Sequence, residues 1–263
     1  MPRYLIGLDI DGTTITHEGE LREVVRETIA QVREAGHHVI IATGRAIVGT
    51  LPILDRLGIT EGYAVCSNGA LTLRLDPELE DGYEVIESIT FDPAPVLTLL
   101  REHAPTALVA VEEPGVGFKV TGNFPEGELD ATERVVPWEE LMTHPVTRVT
   151  LRQPEASPEE FLELVERIGL HGVNYAVGWS AWLDINPEGV SKASGLEPLR
   201  ELLGVDPEHT IGIGDQRNDF EMFAWAGRAV AMGNAPDEVK AAASEVTGHV
   251  DDDGLVPVLR SLL

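Results

Sequence analysis

Leu8-Asp9-Ile10-Asp11-Gly12-Thr13 closes a short apolar run, residues 4–8, that reads as a buried strand. Two carboxylates two positions apart in extended chain point to the same side. Gly12 lets the chain turn immediately afterwards at little steric cost. Asp-Gly-Thr on its own also reads as an ordinary turn after a strand, so the surrounding pattern has to separate the two readings. Residues 21–35 carry apolar side chains at 21, 24, 25, 29 and 32, a helical spacing, and Gly36 stops the helix. Residues 38–42 are a second, β-branched run, 46–57 form a helix with Pro52 as a kink, and 63–66 are a third strand. A β-α-β-α-β order predicts a parallel sheet with helices on its faces.

Further along, the rhythm breaks and then resumes. Short strand-like runs at 84–89, 107–111, 117–120, 147–151, 174–177 and 182–185 are interrupted by helical patterns at 94–103 and 158–168. Strands outnumber helices there, so this stretch reads as a mostly antiparallel α+β module. From 191 onwards helices (191–203, 220–226, 237–243, 254–263) alternate with strands (210–213, 229–232) again. The chain therefore reads as α/β: a Rossmann-like parallel sheet core built from residues 1–82 and 187–263, with an α+β domain inserted at 83–186.

Ligands of open parallel sheets sit at the carboxyl ends of the strands. Reading the polar residues there gives Asp9 and Asp11, then Thr43-Gly44-Arg45, then Ser67-Asn68-Gly69, then Gly214-Asp215-Gln216-Arg217-Asn218-Asp219. Carboxylates gathered on one edge repel each other. A hard divalent cation removes that conflict, and Mg²⁺ with two carboxylates and a substrate phosphate makes a natural site. In that setting one carboxylate of the Asp9/Asp11 pair attacks phosphorus while the other handles a proton. Thr43 and Gly44 offer a hydroxyl and a backbone N–H at a helix start, which suits phosphate oxygens and equally suits an ordinary helix cap. Arg45 pairs either with local carboxylates or with substrate. Lys192 opens a helix where the chain re-enters the core, and a compact ammonium there would neutralise a carboxylate and a phosphoryl oxygen together. Asn218 reads as a helix cap compatible with a nearby phosphate, and Asp219 as a group that orients the metal shell from behind. Cys66 reads as a strand-core residue, and Phe118, Trp138, Trp179 and Trp182 as packing in the inserted module. His37 and His38 read as strand-edge residues.

The ordered set of motifs resembles the haloacid dehalogenase superfamily of phosphohydrolases, and within it the Cof-type branch, whose large cap follows the third sheet strand. The resemblance spans nearly the whole chain. It rests on the Asp9–Thr13 motif, on Ala42-Thr43-Gly44-Arg45, Ser67-Asn68-Gly69-Ala70 and Gly189-Val190-Ser191-Lys192, on Gly214 through Met222, and on Val230-Ala231-Met232-Gly233-Asn234-Ala235. It implies Asp9 as nucleophile and Asp11 as general acid and base. It implies Mg²⁺ held by the carboxylates of Asp9 and Asp215 and by the Asp11 carbonyl. Thr43, Gly44, Lys192, Asn218 and the Ile10 N–H would hold the phosphoryl group, and the inserted domain would act as a cap that chooses the organic part of the substrate. The implied substrate is a small phosphorylated metabolite, a sugar phosphate first and a phosphoglycolate-like acid next. A phosphomutase or phosphotransferase on the same scaffold shares these motifs. A phosphate-accepting signalling module shares the clustered carboxylates and lysine, but is about half this length and lacks the insertion.

Composition agrees with a small-molecule enzyme. Nineteen basic residues against 45 acidic ones give a net charge of −26, which argues against nucleic-acid and anionic-membrane partners. The single cysteine permits no intrachain disulfide and fits a reducing compartment. No apolar run approaches a membrane span, and the first residues do not form a signal peptide, so the expected location is the cytoplasm.

Overall fold

The computed structural model describes residues 2–129, 131–157, 160–161, 163–164, 173–177 (backbone alone) and 181–263. Among them, two compact units are resolved: Met1–Gly44, Thr50–Glu87 and Ser191–Leu263 form one, and Arg45–Gly49 with Ser88–Val190 form the other. The helix expected over 158–168 falls mostly, and Trp179 wholly, outside the described residues.

The first unit is built on β1 (Leu5–Leu8), β2 (His38–Ala42), β3 (Gly62–Cys66), β4 (Leu71–Leu75) and β5 (Tyr83–Ser88). The second contributes β6 (Leu108–Glu113), β7 (Gly117–Val120), β8 (Thr132–Val135), β9 (Val149–Arg152), β10 (Val173–Val177) and β11 (Trp182–Pro187). The chain then returns to the first unit with β12 (Thr210–Gly214), β13 (Arg228–Ala231) and β14 (Glu245–Val246). The large sheet runs β14-β13-β12-β1-β2-β3-β4-β5. From β14 to β3 it is parallel, with Leu8 beside Ile213 on one side and Ile41 on the other. Strands β1 and β12 are buried throughout. That is why they appear in sequence as unbroken apolar runs and not as alternating ones.

One departure from the sequence expectation lies at β4. It belongs to the large sheet and runs antiparallel to β3, pairing Cys66 with Leu71 and Gly62 with Leu75. The sheet is therefore mixed. The reversal is made by Ser67-Asn68-Gly69, which have positive φ of 51°, 55° and 102°. Three left-handed residues in a row turn the chain back without a helical crossover. Apolar alternation at Leu71, Leu73 and Leu75, all buried, holds the returning strand.

Gly69 does a second job. A Cβ on it would lie 2.0 Å from the Ser191 carbonyl oxygen. Ser191 caps the helix Lys192–Leu202 by accepting from the Ser194 N–H, while the Ser194 hydroxyl accepts from the Ser191 N–H. The missing side chain thus sets how closely the helix start approaches the β3 turn. Gly69→Ala is expected to lose about 2–5 kcal/mol, from left-handed strain plus the clash. Equilibrium urea unfolding checks this; an unchanged midpoint would remove the close approach from the account.

In the second unit the sheet order is β10-β11-β9-β6-β7-β8, antiparallel except between β7 and β8. One face packs Val109, Val111, Val149, Leu151, Leu183 and Ile185 against the helix Ala94–His103, with Trp138 alongside. Phe118 belongs to a second apolar cluster with Ala46 and Phe124. Trp182 meets Phe124 edge-on at 5.9 Å, and the Arg148 guanidinium stands 5.2 Å from the Phe118 ring. These aromatic residues are packing elements. Cys66 is fully buried in β3.

Candidate active site

The carboxyl ends of β1, β2, β3 and β12 place the predicted residues of the first unit on one edge of the large sheet. Asp9 follows β1, and its N–H donates to the Ile213 carbonyl at 3.0 Å, one residue past the end of the parallel ladder. The next turn wraps around a single acceptor. The N–H groups of Thr13, Thr14 and Ile15 all donate to the Ile10 carbonyl, and the Thr14 hydroxyl donates to the Asp9 carbonyl at 2.6 Å. Thr14 stands where leucine is common in the family that the motifs resemble, and its hydroxyl here fastens the turn. Gly12 has φ +74°, and a Cβ on it would lie 2.3 Å from Asp215 Oδ2. Glycine at this position lets the first turn come against the fourth.

Lys192 sits at the centre. It is completely buried, and its ammonium donates to Asp9 Oδ1 at 2.6 Å and to Asp219 Oδ1 at 2.7 Å. An ammonium carries three donors, so one remains after these two bonds. Asp219 is held on both oxygens, because its Oδ2 accepts from the Asp215 and Gln216 N–H groups at 2.9 Å each. Asp215 accepts from Thr13 Oγ1 at 3.3 Å, Gln216 Nε2 at 3.1 Å and Asn234 Nδ2 at 3.1 Å. Carboxylate oxygens of Asp9, Asp215 and Asp219 lie within 4.8 Å of one another, and all three residues are buried. Asp11 stands outside this triad and is partly exposed, yet near enough for its charge to act on Asp9.

The electrostatics follow from that crowding. Burial, then the charges of Asp219 and Asp11, push Asp9 up to about 7 against the pull of Lys192. Burial, then Asp9 and Asp219, push Asp215 up to about 8. Lys192 is held above its ordinary range because the two carboxylates outweigh its burial. Three carboxylates against one ammonium leave a formal charge of −2 in a buried space. A hard dication with oxygen ligands fits that donor set and charge.

Beside the triad is a neutral cluster. Asn218 Nδ2 donates to Asn68 Oδ1 at 2.9 Å, and among the described residues the buried Asn218 Oδ1 has no partner. A Cβ on Gly44 would lie 3.0 Å from Asn68 Oδ1 and 3.4 Å from Asn218 Nδ2. Thr43 is buried, and its carbonyl accepts from the Asn68 N–H at 3.0 Å. Thr43, Gly44, Asn68 and Asn218 are thus gathered in one place, and Asn218 is covalently next to Asp219. Arg45 belongs to the other unit, where it donates to the Gly49 carbonyl at 3.4 Å.

Asn234 has no role in the sequence reading beyond its place in a motif. Its Nδ2 donates to the Gly12 carbonyl at 2.8 Å as well as to Asp215, and its Oδ1 accepts from the Val250 N–H at 3.0 Å. It ties the first turn to the fourth. His37, read as a strand-edge residue, is structural: Nδ1 accepts from the Tyr4 N–H, and Nε2–H donates to the Leu262 carbonyl.

Comparison with known proteins identifies the family and the fold. A model of the haloacid dehalogenase-like hydrolase family matches residues 6–259. The putative phosphatase YkrA of Bacillus subtilis is 30% identical over 271 residues, spanning 100% of this chain and 98% of that one. The pyridoxal phosphate phosphatase YbhA of Escherichia coli is 30% identical over 289 residues, with both chains covered completely. A crystal structure of a haloacid dehalogenase-like hydrolase from Bacteroides thetaiotaomicron superposes with a TM-score of 0.81 at 25% identity, covering 99% of this chain and 100% of that one.

Proposed function

The chain belongs to the haloacid dehalogenase-like hydrolases, and from that membership we propose a Mg²⁺-dependent phosphatase that hydrolyses a small phosphorylated metabolite through an aspartyl phosphate on Asp9. The observation that carries the reading is the buried Lys192 ammonium, bonded to Asp9 and Asp219 at once with Asp215 alongside.

Asp9 has one oxygen committed to Lys192, which leaves the other to attack phosphorus. As the new P–O bond forms, the bond to the leaving oxygen breaks and Asp11 donates its proton to that oxygen. Asp11 then takes a proton from water as the water oxygen attacks phosphorus, releasing phosphate and regenerating the Asp9 carboxylate. The partial exposure of Asp11 suits a group that exchanges protons twice per turnover. The third Lys192 donor, the Thr43 hydroxyl, the Gly44 N–H and the Asn218 amide bind phosphoryl oxygens. The Ile10 N–H, which has no acceptor among the described residues, joins them. Asp219, bonded on both oxygens, acts by holding Lys192 and the Asp215 turn in place. The Asp9 and Asp215 carboxylates and the Asp11 carbonyl would hold a Mg²⁺, which when bound would supply positive charge toward the phosphoryl oxygens, the main demand of phosphoryl transfer.

A sugar phosphate is the leading substrate class, with phosphoglycolate-like acids next and pyridoxal phosphate added by the name of the E. coli relative. The test is phosphate release across a panel of these compounds with no added acceptor alcohol. Release with Mg²⁺ that disappears in excess chelator and returns with Mg²⁺ is the expected result. Release that persists in chelator overturns the metal requirement, and no release from any compound overturns the phosphatase. A readout independent of turnover is thermal unfolding. Mg²⁺ at 100 times its dissociation constant is expected to stabilise the protein by about 2.7 kcal/mol, and an unmoved transition would count against a bound dication.

A further inference from the structure

We propose that a cleft at the amino ends of β1, β2 and β3 binds a small tetrahedral oxyanion, a phosphate group, as a second site apart from the carboxylate cluster. The cleft has a volume of about 420 Å³, and its lining includes Arg3, Arg33, His38, Tyr63 and Leu203. Small-molecule sites commonly measure about 300–1,000 Å³. These strands are parallel, so their amino ends lie opposite the edge that carries Asp9 and Thr43. Six residues of extended chain between Arg3 and Asp9 put the two sites roughly 20 Å apart.

The charge of the cleft runs against that of the molecule. In a chain of net charge −26, arginines readily find carboxylates, as Arg22 does with Asp253 and Arg217 with Glu238. Among the described residues, Arg3 makes no ion pair and no hydrogen bond. Arg33 makes no ion pair either; it donates to the Gly58 carbonyl at 3.2 Å and the Glu61 carbonyl at 3.0 Å. Those bonds fix its guanidinium and leave its charge in place. Among the described residues the ring of His38, which opens β2, makes no hydrogen bond, whereas both His37 ring nitrogens bond to the backbone. Burial first, and the nearby Arg3 charge next, hold the His38 imidazole below its ordinary range. Two features oppose an anion: the Glu61 side chain, whose charge acts on Arg33, and the carbonyl end of the helix Glu23–Glu34. Both lie toward Arg33, so the anion binds on the Arg3–His38 side. The guanidinium fork matches two phosphate oxygens, and the imidazole N–H serves a third.

Ring resonances of His38 in isotope-labelled full-length protein test this, titrated with inorganic phosphate in chelator at constant ionic strength set by chloride. The expected result is a saturable His38 shift that weakens at least about tenfold in Arg3→Ala, the loss of one charged hydrogen-bonding group. Arg3 is exposed, so that variant folds. Absence of a saturable shift, or equal affinity in Arg3→Ala, would overturn the site.

Discussion

Asp9→Asn is expected to give a folded protein whose turnover has fallen by on the order of 10⁴-fold or more, as happens when a residue that forms the covalent intermediate is removed. The substitution keeps the shape of the side chain and the backbone contacts around it. The Thr14 hydroxyl still donates to the carbonyl of residue 9, and the N–H still donates to Ile213. What disappears is the oxygen proposed as nucleophile and one of three crowded carboxylates. The second effect has a direction in pH. Unfolded aspartate titrates near 4, whereas Asp9 and Asp215 are pushed up to about 7 and about 8, by burial first and by neighbouring carboxylates next. Between pH 4 and 8 these two sites therefore hold more protons in the folded protein than in the unfolded chain, and their contribution to stability falls as pH rises. Lys192 does not contribute in that window, because its raised value lies well above it. Thermal unfolding of the metal-free wild type from pH 5 to 8.5 should show the decline, and Asp9→Asn should flatten it. A wild-type transition independent of pH would show that the carboxylates do not conflict, and undiminished phosphate release by the variant would remove Asp9 from the chemistry.

Lys192→Met is expected to be the more damaging change for the fold. Methionine fills most of the volume and leaves the carboxylates of Asp9 and Asp219 buried without their shared cation. Breaking a buried ion pair on one side costs about 3–5 kcal/mol, which in a protein of this size lowers the melting temperature by roughly 10 °C. Adding Asp219→Asn removes one stranded charge, so the double variant should recover part of the loss and give a favourable coupling energy in the cycle. The neutral amide still accepts from backbone N–H at residues 215 and 216. Additive losses would show that Lys192 and Asp219 do not act as a unit. Catalysis should stay defective in both variants, since the donor proposed to hold the phosphoryl group is gone; wild-type kinetics in Lys192→Met would refute that role.

Much of the core was readable because the central strands are buried on both faces and so appear as short apolar runs. Once β1, β2, β3 and β12 are placed, the polar residue after each falls on one edge. Asp9, Thr43, Ser67 and Asp215 can then be picked out by position. β4 was not assigned to the large sheet because its membership depends on three consecutive left-handed residues, Ser67, Asn68 and Gly69, a backbone choice that side-chain pattern does not announce. The roles of Asn234 and Asn68 were also hidden. Each is defined by a partner more than a hundred positions away, Gly12 for Asn234 and Asn218 for Asn68. An asparagine near a turn carries no local mark of such a bond. His37, read as a strand-edge residue, likewise has a distant partner that its neighbours in sequence do not announce, the Leu262 carbonyl.

The placement of β1 beside β12, pairing Leu5 with Thr210, governs how the protein is born. The strand that leads into Asp9 leaves the ribosome well before this partner, and that flank stays open until roughly 200 more residues have been added. At about 5–20 residues per second that is a wait of roughly 10–40 s. Throughout it an unbroken apolar strand has an unfilled edge, while the interposed module, synthesised meanwhile, is free to fold ahead of the sheet it interrupts. A nascent-chain experiment would find the unit that holds the large sheet acquiring protease resistance only after that last central strand has cleared the exit tunnel.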